Sequence, residues 1–238
     1  MTFDLYYWPS IQGRGEFVRL VLEAAGADYR DVARLEGPNC GIDAMFALMK
    51  EGVGGARPLA PPFLVDGDVL VSQTAVISAY LGEKLGLAPE DEAGRLFTRS
   101  VAATTADFVA EAHDTHHPVG TALYYEDQKP EALRRASEFR DERMPKFLGW
   151  YESLIGPSGH LVGDRLSYAD LGLFQVVEGL RYAFPKRMAT IEADYPKVSQ
   201  LGATVAAHPN IAAYLASERR LPFSEDGIFR HYPELDQK

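Results

Sequence analysis

In the first part of the chain, the spacing of apolar residues changes several times between that of a strand and that of a helix. Such changes are typical of a domain of mixed strands and helices. Residues 2–8 are rich in aromatic and β-forming side chains and predict a strand. Residues 14–25 carry apolar side chains at helical spacing and stop at Gly26, so they predict a helix. Residues 28–35 predict a second strand, and residues 42–51 predict a short helix.

The stretch from Leu59 to Leu85 predicts a strand, a tight turn, a second strand and a helix. Asp66-Gly67 joins two β-rich runs, which is typical of a short hairpin because glycine accepts a positive φ. Gln73 and Thr74 stand where the helix begins, and a helix N-terminus can hold a carboxylate or a phosphate. An ordinary hairpin with a capped helix explains the same pattern and is the simpler interpretation of this stretch.

Strand signals stop after a short linker at residues 86–92, and the remaining pattern is helical. The predicted helices cover residues 93–117, 129–155 with a kink at Pro145, 167–183, 196–208 and 211–219. Residues 221–238 have no period, and we expect them to lie across the surface. The strand–helix–strand start implies parallel pairing, to which the hairpin adds antiparallel strands. We therefore expect an α/β thioredoxin-like N-terminal domain at residues 1–85 and an all-α C-terminal domain at residues 93–238.

Composition narrows the possible partners and compartments. The 238 residues carry a net charge of −10, which argues against nucleic acid and anionic membranes. Cys40 is the single cysteine, so no intramolecular disulfide can form, and its flexible surroundings indicate an incidental thiol. No Cys/His cluster at metal-ligand spacing is recognised, so we expect no metal. Neither a signal peptide nor a membrane-length apolar run is visible, and we expect a cytoplasmic protein.

Three motifs in order carry a family resemblance over essentially the whole chain. They are LYYWPSIQGRGEFVRLVLEAAGADYRDV near the start, PPFLVDGDVLVSQTAVISAYL before the linker, and LVGDRLSYAD at a later helix start. Together they resemble the cytosolic glutathione transferases, and the first looks like the opening of their tyrosine-type classes (sigma, mu, alpha and pi). The resemblance implies a homodimeric detoxification enzyme that activates the glutathione thiol for attack on a small, electrophilic, hydrophobic acceptor. Alternatives within the fold are a non-catalytic glutathione-binding protein, or ether cleavage, peroxide reduction or isomerisation.

The resemblance also implies roles for individual positions. Tyr7 matches the tyrosine that donates a hydrogen bond to the glutathione sulfur, although a strand aromatic of the core would have the same pattern. Ser10 is a rival activating hydroxyl, because the loop after Tyr7 is one residue longer than in the tyrosine classes. Pro62 matches a cis-proline. Gln73 and Thr74 match a Gln-Ser pair that binds the γ-glutamyl carboxylate of glutathione.

For the other predicted glutathione contacts, the sequence departs from the family pattern or leaves an alternative open. Asp107 matches an acidic residue that reaches the γ-glutamyl amine across a dimer interface, and a solvated helix charge is the equal alternative. Pro61 occupies a position whose N–H and C=O pair with the cysteinyl backbone in the family, but proline has no N–H. Lys50, Arg57 and Arg14 are the basic candidates for the ligand carboxylates, with an exposed structural role as the alternative for the first two.

The acceptor pocket is expected between the two domains. Its candidate residues are Trp8, Ile11, His116, His117 and Tyr124. The adjacent histidines also suit a polar helix end, where cations are favourable. Ser167 and Asp170 have capping-box spacing before a buried helix, so we predict a folding device whose loss costs roughly 1 kcal/mol or more.

Overall fold

The structure is a computed structural model that describes residues 2–237. Met1 and Lys238, the outer ends of the two predicted domains, lie outside the described residues. A four-stranded sheet forms the first layer, from β1 (Phe3–Tyr6), β2 (Tyr29–Asp31), β3 (Phe63–Asp66) and β4 (Val69–Ser72).

The strand order is β2-β1-β3-β4, with β1 parallel to β2 and antiparallel to β3. This arrangement confirms the predicted mixed sheet. β3 and β4 form the predicted hairpin, in which Asp66 pairs with Val69 and Gly67 takes a φ of 60° in the turn. The predicted second strand is shorter than expected, because the chain turns into a 3-10 helix at Val32–Arg34 instead of staying extended to residue 35.

Three helices accompany the sheet: α1 (Gly15–Ala24), α2 (Gly41–Glu51) and α3 (Thr74–Lys84). Seven more follow. They are α4 (Glu92–Asp114), α5 (Lys129–Glu138), α6 (Met144–Leu154), α7 (Tyr168–Ala183), α8 (Pro185–Ile191), α9 (Pro196–Ala207) and α10 (Pro209–Leu215). Within residues 2–237, no helix is both long and apolar enough to cross a membrane. The fold is the expected α/β thioredoxin-like N-terminal domain followed by an all-α C-terminal domain.

The predicted kink at Pro145 takes the form of a π-helical segment. Phe139–Arg143 has π-helical hydrogen bonding between α5 and α6, and Pro145 sits in the first turn of α6. Proline lacks an N–H and its ring collides with the carbonyl four residues earlier, so the regular pattern cannot continue through it. The helix predicted over residues 129–155 is therefore two helices joined by one widened turn.

The last segment of the chain corrects one prediction. Residues 221–237 do not simply cross the surface, because Ile228, Phe229 and Leu235 are buried in the main core. The Asp236 carboxylate, which is fully buried, accepts hydrogen bonds from the Lys186 and Arg187 backbone N–H groups at the start of α8, at 2.7 and 3.1 Å. This segment thus closes the helical domain by capping a helix that the sequence analysis missed.

Helix packing joins the sheet layer to the helical layer. α1 and α3 contact each other, and they also contact α7 and α4 respectively. One apolar core accordingly runs from Leu5 and Leu20 to Leu171 and Phe174. The N-terminal ends of α1 and α3 lie beside this junction, and they carry the candidate site.

Candidate functional site

Tyr7 directly follows β1 and is enclosed by the loop that leads into α1. Its side chain is 5% exposed, and its hydroxyl oxygen accepts a hydrogen bond from the Arg14 backbone N–H at 2.8 Å. A Cβ at Gly13 would overlap the hydroxyl, and one at Gly15 would overlap the ring. Since only glycine lets the backbone approach this closely, the two glycines hold the loop against the phenol.

The electrostatic surroundings keep the Tyr7 phenol protonated at neutral pH. Burial raises the pKa of Tyr7, while the Arg14 N–H and the Arg14 and Arg19 charges oppose that rise. The Arg14 bond uses the oxygen as an acceptor, which leaves the hydroxyl proton free to be donated elsewhere. Tyr7 is thus a neutral hydrogen-bond donor at a fixed position.

Ser10 and Arg19, two other residues near Tyr7 in the sequence, occupy very different places. Ser10 is exposed in the loop before α1. Arg19 is fully buried; it donates to Asp31 at 2.7 Å and to Glu16 at 3.4 Å, and its guanidinium lies 5.7 Å from the Tyr7 ring centroid. Arg19 therefore belongs to an internal ion-pair network that fixes α1 against the sheet.

A cleft of about 100 Å³ lies where α1, α3, α4 and α7 meet. It brings together Arg14, Gln73 and Thr74, three of the predicted glutathione contacts. Phe17 and Val109 are among the apolar residues of the same wall. The cleft is therefore largely apolar, with its polar groups gathered at the start of α3.

Thr74 and Gln73 have unusual geometry at this helix end. The Thr74 hydroxyl oxygen is buried and has no hydrogen-bond partner among the residues that the structure describes. Gln73 precedes it at the N-cap with a φ of 71°, a conformation that costs roughly 1–3 kcal/mol for a residue other than glycine. Together with the free N–H groups of α3, the unpaired Thr74 hydroxyl presents hydrogen-bond donors to the cleft.

The remaining predicted glutathione contacts do not line this cleft. The Pro61–Pro62 peptide bond is cis, and Pro62 is buried at the entry to β3. Asp107 is exposed on α4. Lys50 lies in the last turn of α2 and Arg57 lies in the following loop, and both residues are exposed.

The predicted acceptor residues are not brought together. Trp8 is half-buried and makes an edge contact with Phe46 of α2, with ring centroids 5.9 Å apart. Ile11 is half-buried in the loop before α1, while Tyr124 is 77% exposed far along the chain. None of these residues contributes to the cleft described above.

His116 and His117 instead join His113 in a cluster at the end of α4. The three imidazoles each offer a nitrogen within 4.8 Å of the other two. Burial lowers the pKa of His113 to about 4 and that of His116 to about 2. The sequence analysis missed His113 and found no His/Cys cluster, although the spacing His-x-x-His-His brings three imidazoles together where α4 ends.

Asp170 is fully buried at the start of α7. Its carboxylate accepts hydrogen bonds from the Ser167 N–H at 2.7 Å, the Ser167 hydroxyl at 2.9 Å and the Leu161 N–H at 2.8 Å. His160 lies 3.5 Å away, and the carboxylate raises the pKa of His160. One side chain thereby ties the preceding loop to the helix.

Known proteins resemble the chain in both its parts. Residues 113–218 match the family model described as "Glutathione S-transferase, C-terminal domain". Glutathione S-transferase Mu 3 of Mus musculus is 26% identical over 222 residues, which cover 93% of this chain and 94% of that protein. A glutathione S-transferase of Plasmodium falciparum (isolate 3D7) is 22% identical, with 90% of this chain and 95% of that protein covered.

Solved structures share the fold. The glutathione S-transferase from Ascaris lumbricoides has a TM-score of 0.68 and 22% identity, covering 94% of this chain and all of that one. The prostaglandin synthase D of Nilaparvata lugens has a TM-score of 0.69 and 20% identity, covering 93% and 100%. The family model over residues 113–218 and the nearly full-length relatives show that the chain is similar to glutathione S-transferases, and the solved structures show that it shares their fold.

Proposed function

We propose that this protein is a glutathione transferase in which Tyr7 activates the thiol. The observation that carries the proposal is the Tyr7 hydroxyl, which is buried, held by the Arg14 N–H at 2.8 Å, and left with its own proton to donate. Relatives over nearly the whole chain are named glutathione S-transferases, which supports the same activity.

The chemistry follows from the acidity of a thiol. A free thiol has a pKa of about 8.5, so glutathione is mostly protonated at neutral pH, whereas the thiolate is the nucleophile. A hydrogen bond donated by Tyr7 stabilises the thiolate relative to the thiol and lowers that pKa. The thiol proton leaves, the sulfur forms a bond to the electrophilic carbon of the acceptor, and the leaving group departs with the electron pair.

Glutathione would lie across the start of α3. Its γ-glutamyl carboxylate would accept hydrogen bonds from Gln73, from the buried Thr74 hydroxyl and from the free N–H groups of the helix. Arg14 adds a positive charge to the same cleft. At the cysteinyl end, Pro61 can offer its C=O but no N–H, so this grip has one backbone hydrogen bond fewer than the family pattern.

The domain division, the acceptor, the homodimer and the cellular setting expected from the sequence belong to the same proposal. The division into domains at residues 1–85 and 93–238 would place a small, electrophilic, hydrophobic acceptor between the two. A homodimer would let exposed Asp107 reach the γ-glutamyl amine of the partner's ligand, and exposed Leu96 and Phe97 on the same helix offer apolar surface to a second copy. Cytoplasmic detoxification is the corresponding setting.

A glutathione-binding protein with little turnover is the second candidate, because the cleft accounts for binding without any acceptor site. Retention on immobilised glutathione tests binding, and turnover of a chromogenic electrophile tests transfer. We expect both in the wild type, with turnover reduced in Tyr7→Phe and unchanged in Ser10→Ala. Retention without turnover of electrophiles, ethers or peroxides would favour the binding protein, and loss of rate in Ser10→Ala alone would transfer the activating role to Ser10.

A further inference from the structure

The histidine cluster at the end of α4 has the composition of a metal centre. His113 lies in the last turn of α4, and His116 and His117 follow it at helical spacing. Each offers a ring nitrogen within 4.8 Å of the others. We propose that His113, His116 and His117 bind a divalent transition-metal ion of the zinc type, at a site outside the cleft that Gln73 and Thr74 line.

The orientation of His116 supports this role. Its Nε2 lies 2.7 Å from the Ile228 carbonyl oxygen. A carbonyl only accepts, so the neutral ring carries its proton on Nε2 and has its lone pair on Nδ1. Metal-binding histidines are fixed in this way by a carbonyl or carboxylate on the second ring nitrogen. The buried last segment of the chain thus points the Nδ1 atom of His116 into the cluster.

The distance between the Nδ1 atoms of His116 and His117 shows where the ion would sit. His116 Nδ1 and His117 Nδ1 lie 2.5 Å apart. Since the lone pair is on His116 Nδ1, His117 Nδ1 donates this hydrogen bond and its proton lies between the two rings. Zinc–nitrogen bonds of about 2.0–2.1 Å place two ligands of a tetrahedral ion about 3.4 Å apart. If the two rings moved apart by about 1 Å, the ion would therefore take the place of the proton between them.

Access and charge are compatible with an ion. His116 is buried, but His113 and His117 are partly exposed, which leaves an entry path from solvent. The charged groups that act on the three rings are Arg14, Arg230, Asp114 and Glu126. Two of these groups are cationic and two are anionic, and Asp114 Oδ1 lies 3.6 Å from His113 Nδ1.

The ligand set selects the class of ion. Three imidazoles suit zinc, cobalt, nickel and copper, whereas magnesium and calcium require oxygen ligands. Three protein ligands are also the number found in zinc sites that keep a fourth position for water or a small ligand. The cluster should therefore bind one equivalent of Zn²⁺ or Co²⁺ and no Mg²⁺.

The test uses the full chain without a histidine tag, treated with chelator and free of glutathione, since thiols bind these ions. Zn²⁺ is titrated by calorimetry and Co²⁺ by visible absorption, for the wild type, His113→Gln, His117→Gln and the control His208→Gln. The two test residues are partly exposed, so folding is checked by circular dichroism and is expected to persist. His208 is a half-buried histidine outside the cluster, at the junction of α9 and α10.

We expect one equivalent of each ion in the wild type and in His208→Gln, with the intense absorption of tetrahedral Co²⁺. Each cluster variant should bind more than about 100-fold more weakly, since even the partners behind the ligands contribute about 10- to 100-fold. No binding by the wild type at millimolar ion, or equal binding by the wild type and both cluster variants, would overturn the proposal. Turnover with glutathione is a separate readout, and its absence would not affect this result.

Discussion

The Arg14 backbone N–H points at the Tyr7 hydroxyl oxygen from 2.8 Å, across the loop that separates β1 from α1. This contact fixes the oxygen and leaves the hydroxyl hydrogen as the group that can act on a ligand. Gly13 and Gly15 make it possible, because a side chain at either position would overlap Tyr7. The activating group proposed for the site is thus placed by the backbone of this loop, and its position depends on glycine at residues 13 and 15.

The buried Thr74 hydroxyl should contribute to glutathione binding without contributing to folding. It has no partner within residues 2–237, so Thr74→Val removes no internal hydrogen bond. A lost hydrogen bond to a carboxylate costs about 1.5–3 kcal/mol, or about 10- to 100-fold in affinity. We expect the dissociation constant of glutathione to rise by that factor while the urea midpoint is unchanged or higher.

Calorimetric titration with glutathione measures the effect of Thr74→Val. Thr204→Val is the matched control, because Thr204 is an exposed hydroxyl on α9 that bonds its own helix through the Gln200 carbonyl. Equal affinities for the wild type and Thr74→Val would remove Thr74 from the binding site.

Pro61 should limit glutathione affinity. Pro61→Ala supplies the N–H that the family pattern uses at this position, and one added hydrogen bond is worth about 1 kcal/mol. We expect glutathione to bind about fivefold more tightly, measured by calorimetry. Pro130→Ala, at an exposed position in the first turn of α5, should leave affinity unchanged. Weaker binding by Pro61→Ala would show that the proline ring itself is needed.

Asp170 should matter for stability far more than an ordinary helix cap. Asp170→Ala leaves the Leu161 and Ser167 N–H groups buried without their acceptor, which costs about 3 kcal/mol or more. Asp91→Ala is the comparison, because Asp91 caps α4 through Gly94 N–H at 2.8 Å in solvent and should cost about 1 kcal/mol. Urea unfolding of both variants measures the difference, and equal losses would contradict the role assigned to Asp170.

Acid should destabilise the metal-free protein through the histidine cluster. The folded-state pKa is lowered to about 4 for His113 and about 2 for His116, whereas unfolded imidazoles titrate near 6.5. The unfolded chain therefore binds more protons below pH 6.5, so stability is full above pH 6.5 and falls as the pH drops towards 4. Urea unfolding with chelator between pH 7 and 5 should show this slope, and His113→Gln should reduce it. An unchanged slope in the variant would contradict this assignment.

Local patterns in the sequence were sufficient for most of the elements, but contacts between distant residues were not visible in them. The hairpin followed from Asp66-Gly67, and the break near Pro145 from the missing proline N–H. In contrast, α8 was missed because its N-terminal N–H groups are satisfied by Asp236, some 50 residues later. The tail shows no sign of burial in the sequence because Ile228 and Phe229 follow no period, although both are buried.

In the candidate site, too, local features could be predicted from the sequence and contacts between distant residues could not. Gln73 and Thr74 could be placed at a helix start from sequence, because hairpin and helix signals are local. From sequence, His116 and His117 are expected in the acceptor pocket. This expectation includes neither His113 nor the Ile228 carbonyl, since only tertiary packing brings that carbonyl to the His116 ring.

The central claim is that Tyr7 lowers the pKa of the glutathione thiol. The direct measurement is a pH titration of the thiolate absorbance of bound glutathione, for the wild type and Tyr7→Phe, with Ser10→Ala as the control. We predict a thiol pKa clearly below the free value of about 8.5 in the wild type and Ser10→Ala, and a return towards that value in Tyr7→Phe. The same bound-thiol pKa in the wild type and Tyr7→Phe would contradict the proposed role of Tyr7.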